Sequence, residues 1–219
     1  MALEPALQLN PSGLRSEGFV FVEDATVGQE VDQLRSVGFP LKTTREGLKF
    51  CRQRLLEDER IQRVLYSFYD SPCLGVFHWY TCDPNQTYIF TKKEGRDPPA
   101  VVVHLFTPET RLLLFEGSQL KIFKTWHAPN GLLVVANAAL RKAGIMGKEV
   151  ELKCGGMVIS DTRLGFRALK GHAIIGIFAD KNGDEIQKWD KIELRTIDDL
   201  KEEVTEMQKC GIWTNFTFV

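Results

Sequence analysis

A mainly β domain with flanking helices is the fold this sequence predicts, on three observations. Short apolar or β-branched runs recur between turn-forming residues through the middle of the chain, and the charged segment before them has helical spacing. The 219 residues are 43% apolar, enough to bury a sizeable core in one domain spanning 1–219. Closely spaced strands of this kind close into a sandwich or a jelly-roll barrel.

Taken in order, residues 1–40 read as a loosely structured lead-in with one strand at Gly18-Phe19-Val20-Phe21-Val22. A helical region follows over 43–69. Thr43 and Glu46 have capping-box spacing, and Leu48, Leu55, Leu56, Ile61, Val64, Leu65 and Phe68 recur at helical intervals. Pro72 ends that pattern, and Leu74 to Tyr80 enters a barrel core placed at 74–180. Ala100 to Phe106 and Arg111 to Phe115 are apolar runs divided by the turn-like Thr107-Pro108-Glu109-Thr110. Met157-Val158-Ile159 lies between Gly155-Gly156 and Ser160-Asp161, and Ala173 to Phe178 follows Lys170-Gly171; both read as buried strands. Over 196–219, a helix starts near Thr196-Ile197-Asp198-Asp199 and ends by Gly211, and Ile212 to Val219 alternates like a half-buried strand. Lys92 to Pro99 reads as a solvated loop.

Charge narrows the function classes. A formal charge of −1 and a pI near 6.4 give no footprint for nucleic acid or an anionic membrane. The opening Met1-Ala2-Leu3-Glu4-Pro5 lacks the pattern of a secretory signal, so a cytoplasmic protein is expected. The five cysteines, Cys51, Cys73, Cys82, Cys154 and Cys210, show no CxxC spacing and read as reduced thiols rather than a zinc site or disulfide framework.

Between strands, Glu116-Gly117-Ser118-Gln119 and, after about forty residues, the Gly-Gly strand with Asp161-Thr162-Arg163-Leu164 form an ordered set of motifs. Over residues 75–180 this order resembles the phytanoyl-CoA dioxygenase-like branch of the non-haem iron and 2-oxoglutarate oxygenases. The resemblance implies a double-stranded β-helix, a jelly-roll barrel buttressed by helices. It also implies a His-x-Asp/Glu pair and a distal histidine for iron, and an arginine for the co-substrate carboxylate. The chain departs at each of these. The distal histidine falls near Gly165 or Phe166, the arginine position reads Gly171-His172-Ala173, and the family's Ser-His reads Ser118-Gln119. No His-x-Asp/Glu tripeptide occurs; His78-Trp79-Tyr80 lies nearest its expected place. No metal and no cofactor are therefore expected.

His78, His104, His127 and His172 lack metal-like spacing, and each reads first as a satisfied core or surface residue. His104, inside an apolar strand, and Tyr80 and Asp161 are the candidate acid or base groups. Trp79, Tyr88, Trp126, His127, Arg163, Phe166 and His172 are the candidate substrate contacts. The aromatic set Phe77, Trp79, Tyr80, Tyr88 and Phe90 suits an apolar pocket as well as a packed core. Asp161 and Arg163 share a face of an extended segment and read first as a structural ion pair. The functional expectation is a metal-free barrel holding a hydrophobic small molecule, acting as the non-catalytic partner of a homologous, active oxygenase subunit. The resemblance places such a chain in fungal secondary-metabolite biosynthesis. The alternatives are a metal-independent isomerase or cyclase acting on a terpenoid or polyketide, and an iron oxygenase with relocated ligands.

Overall fold

The computed structural model describes residues 9–219. Its strands are β1 (Phe19–Glu23), β2 (Pro72–Thr81), β3 (Thr87–Ile89), β4 (Val101–Phe106), β5 (Thr110–Phe115), β6 (Thr125–His127), β7 (Leu133–Val135), β8 (Lys148–Leu152), β9 (Gly156–Asp161), β10 (Gly165–Lys170), β11 (His172–Asp180), β12 (Ile192–Leu194), β13 (Trp213–Thr214) and β14 (Phe216–Phe218). The helices are α1 (Pro11–Ser16), α2 (Ala25–Ser36), α3 (Arg45–Cys51), which runs into a π-turn at Arg52–Leu56, α4 (Glu59–Tyr66), α5 (Asn137–Lys142), α6 (Asp184–Lys188) and α7 (Asp198–Met207).

Two six-stranded sheets make the barrel, ordered β1-β9-β4-β11-β2-β13 and β6-β7-β3-β10-β5-β8. Strand alternation explains how one sequence serves two cores. In β4, Val101, Val103 and Leu105 face α1, α2, α3, α4 and α7, while His104 and Phe106 face the barrel interior. The first sheet is thus covered on both sides, and β4 is buried along its whole length. Inside the barrel, Phe106 and Val158 from the first sheet meet Tyr88, Leu112, Leu114, Val134 and Phe166 from the second.

From residue 9 on, the lead-in is more ordered than its composition suggests; its first eight residues lie outside the described ones. Beside the expected strand β1, paired with β9, it carries α1 and α2. Asp24 caps α2 by accepting from the Thr26 and Val27 amides, and Val27 and Val31 bury its inner face. Gly28 lets the helix touch the β8–β9 turn, since a Cβ there would stand 2.1 Å from the Cys154 carbonyl oxygen. The helical region is capped one residue later than the Thr43–Glu46 spacing suggests, at Thr44, whose Oγ1 accepts from the Gly47 amide at 3.2 Å. Trp126 to Leu133 spans a hairpin of β6 and β7 about the Asn130-Gly131 turn. Among the described residues no helix is long and apolar enough to cross a membrane.

Candidate functional site

The second sheet leaves the barrel open between β2 and the β6–β7 turn, where a cavity of about 330 Å³ enters. Its walls come from Val76, His78 and Tyr80 on β2, Ile175 and Ile177 on β11, Tyr88 and Phe90 at β3, and Phe166 and Ala168 on β10. Asn130 and Leu132 from the hairpin close the rim with Asp83. Because β11 runs antiparallel beside β2, with Ile175 opposite His78, side chains two residues apart on each strand line the same wall.

Aromatic rings pack the inner end. Phe90 stacks on Phe166 with centroids 5.2 Å apart, Tyr88 lies 6.2 Å from Phe166, and Tyr80 lies 6.3 Å from it. Within this apolar setting runs one polar chain. The Tyr80 hydroxyl is 3.0 Å from His104 Nδ1, and His104 Nε2 is 3.3 Å from Ser160 Oγ. Burial lowers the His104 imidazole to about 3 and pushes the Tyr80 phenol up, so both are neutral through the physiological range. At the rim the Tyr88 hydroxyl donates to Asp83 at 2.6 Å. That bond helps keep Asp83 ionised, while burial pushes Tyr88 up to about 12.

His104 has a consequence for stability. Its folded value lies below the ordinary 6.5, so the unfolded chain binds a proton that the folded chain does not. Its contribution is intact above pH 6.5 and is lost as pH falls toward 3. Urea unfolding should show roughly 3 kcal/mol lost through this residue by pH 4, and a flatter profile in His104→Phe over that window. Equal slopes for the two proteins would assign the acid lability elsewhere.

A metal with three protein ligands needs donors that converge within roughly 2.0–2.3 Å of one point. Phe166, where the resemblance implies the distal histidine, pairs with Tyr88 on β3, and Phe90 and Tyr88 surround it together with Tyr80 from β2. That corner holds two phenyl rings and a phenol engaged with Asp83, and it does not fit a ferrous ion. Among the described residues no group of three or more His, Cys, Asp or Glu side chains is placed to hold a metal. On β11 the inward Ile175 and Ile177 offer nothing to a co-substrate carboxylate.

Solved structures share this architecture. ThoJ, a non-heme monooxygenase in its apo form, superposes with a TM-score of 0.52 at 11% identity, over 92% of this chain and 96% of that one. The fold is that of the non-haem iron oxygenases. The epimerase SnoN, in complex with Fe3+, alpha ketoglutarate and nogalamycin RO, gives 0.52 at 12% identity over 78% and 82% of the two chains. HygX from Streptomyces hygroscopicus, with nickel and 2-oxoglutarate bound, gives 0.50 at 12% identity over 88% and 91%. No family model matches the chain, and no curated protein matches it in sequence.

Of the residues singled out from sequence, Tyr80, Tyr88 and Phe166 line this cavity, with His104 behind Tyr80 and Trp79 at the edge stacked on Phe39 at 4.9 Å. The others lie apart. Trp126 and His127 are exposed on β6, and His172 sits in a separate surface depression with Asp32, Arg35 and Lys170. Asp161 and Arg163 bind each other at 2.7 Å, and the guanidinium also donates to the Gly95 and Asp97 carbonyls, which spends the pair on holding the 92–99 loop. Phe77 joins the core on the helical side. Ser160 and Asp83 carried no signal in the sequence, since each matters only through its neighbours in the fold.

Proposed function

We propose that this chain is a catalytically degenerate oxygenase-fold protein that holds an apolar small molecule at the mouth of its barrel, beside an active oxygenase in small-molecule biosynthesis. The observation that carries the reading is the aromatic filling of the ligand corner by Tyr88, Phe90 and Phe166. The cavity volume of about 330 Å³ falls within the range of small-molecule pockets, and the lining is largely aliphatic and aromatic. Holding is favoured over turnover because neither His104 nor Tyr80 is poised to exchange a proton near neutral pH. SnoN, in complex with nogalamycin RO, supports small-molecule chemistry as the setting, by analogy of fold. Leu120, Ile122 and Trp126, exposed on the stretch leading into β6, are the surface offered to a second chain.

Protein prepared anaerobically with ferrous iron should retain far less than one equivalent of metal by elemental analysis. Calorimetric titration of that protein with 2-oxoglutarate should give no binding heat. Stoichiometric iron together with 2-oxoglutarate binding would replace this reading with an oxygenase using relocated ligands.

A further inference from the structure

We propose that the barrel cavity takes an apolar molecule carrying a protonated or quaternary amine, with the Asp83 carboxylate at the rim meeting the ammonium group and the aromatic walls enclosing the apolar remainder. This rests on the ligand-binding reading above and adds the charge that the ligand must carry.

Charge at the cavity has one sign. Among the described residues that line it, Asp83 is the single carboxylate, and there is no lysine or arginine. The Tyr88 hydroxyl donates to Asp83 Oδ2 at 2.6 Å and the Asn85 amide to Oδ1 at 3.0 Å, and these bonds hold the carboxyl below the usual aspartate value. Two donors leave the carboxylate further lone pairs to offer a ligand. Burial, with Lys42 nearby, keeps His78 below its ordinary 6.5, so it adds no positive charge at neutral pH. Arg167, whose charge also favours the ionised Asp83, lies on the face of β10 opposite Phe166 and Ala168 and donates to the Thr87 hydroxyl and to Asn137. The rings act in the same direction as the carboxylate. Trp79, Tyr80, Tyr88, Phe90 and Phe166 line the cavity, and an aromatic face attracts a cation and repels an anion. An anionic ligand would meet a like charge at the rim, and a neutral one would leave Asp83 to water. A cation on an apolar body uses both the rim and the walls.

Calorimetry on the full chain at neutral pH with adamantylamine, adamantanol and adamantane carboxylate tests the preference, since the three carry a positive, no and a negative charge on the same rigid cage. The amine should bind about tenfold more tightly than the alcohol, the scale of one partly exposed charge contact beside aromatic walls. The carboxylate should bind more weakly than either. Asp83→Asn keeps the shape of the rim and removes its charge, so it should bring the amine down to the alcohol while the alcohol still binds. Were that variant to lose the alcohol as well, the three probes compared on the unsubstituted protein would still decide. Equal affinities for amine and alcohol, a tighter carboxylate, or an amine preference that survives Asp83→Asn would overturn the proposal and leave ligand binding standing; if none of the three binds, both fall.

Discussion

Arg163→Ala should cost about 3–5 kcal/mol of folding stability, read as a lowered midpoint in urea, because it leaves the buried Asp161 carboxylate without its counter-ion. Both side chains are almost completely enclosed, at 4% and 1% exposure. The guanidinium places Nε 3.0 Å from one carboxylate oxygen and Nη2 2.7 Å from the other, a bidentate fork that lysine cannot copy. Its remaining hydrogens go to the Gly95 and Asp97 carbonyls at 2.6 and 3.2 Å. The loop is also tied by Arg15 to Asp97, by Lys93 to Glu185 and by the Tyr69 hydroxyl to the Pro98 carbonyl, and losing the two guanidinium bonds at its centre should make residues 92–99 more open to limited proteolysis. Removing both partners in Asp161→Ala/Arg163→Ala should cost less than the sum of the single substitutions, since neither charge is then left alone. A loss below about 1 kcal/mol for Arg163→Ala would show that water reaches the site and that the pair is not the clasp described.

The same residues show what sequence could and could not reveal. Asp161 and Arg163 were legible as a pair, because two residues apart on an extended segment is a local relation. Their acceptors in the 92–99 loop lie some seventy positions away and were not. The long strands were legible for a related reason. Val101 to Phe106 is buried on both faces, so its apolar run is continuous whichever way its residues point. Strands β3, β6 and β7 are three residues each, too short for any period to show. In β10, Phe166 and Ala168 point inward beside the outward Arg167, and the motif just before it drew the eye to Arg163 instead. Helix α2 was hidden by its polar face and by Gly28, a weak helix former retained where the helix meets the Cys154 carbonyl.

The site follows the same division. His104 and Tyr80 stood out individually, one as an imidazole within an apolar strand and the other at the end of the barrel's entering strand. Their contact depends on β11 lying between β4 and β2 and on the register of both pairings, which no local pattern encodes. Ser160 belongs with them only because β9 pairs with β4 so that Val102 faces Ser160, one pleat from His104. The aromatic corner was half legible. Phe166 is legible by its place just after Arg163-Leu164, whereas Tyr88 and Phe90 join it through the pairing of β10 with β3, which no local pattern shows.

The aromatic corner yields the second large effect. Tyr88→His, Phe90→Asp and Phe166→His together should create a site for one divalent ion in a protein that otherwise has none there. Phe90 and Tyr88 stand 5.2 and 6.2 Å, ring to ring, from Phe166, which lets shorter donor-bearing side chains at these positions converge on a common centre. The substitutions give up stacking contacts and the Tyr88–Asp83 hydrogen bond, so the metal-free triple variant should be less stable than the unsubstituted chain. Nickel should restore stability: at a hundredfold excess over its Kd it contributes about 2.7 kcal/mol, visible as a rise in Tm absent from the unsubstituted protein. Calorimetry should give one equivalent bound, and each single substitution should bind far more weakly, because a lone imidazole or carboxylate forms no chelate. A folded triple variant that takes up no more nickel than the parent would show that Tyr88, Phe90 and Phe166 do not surround a metal position. The aromatic corner would then be an ordinary piece of core, and the proposal of a degenerate oxygenase would lose the observation on which it stands.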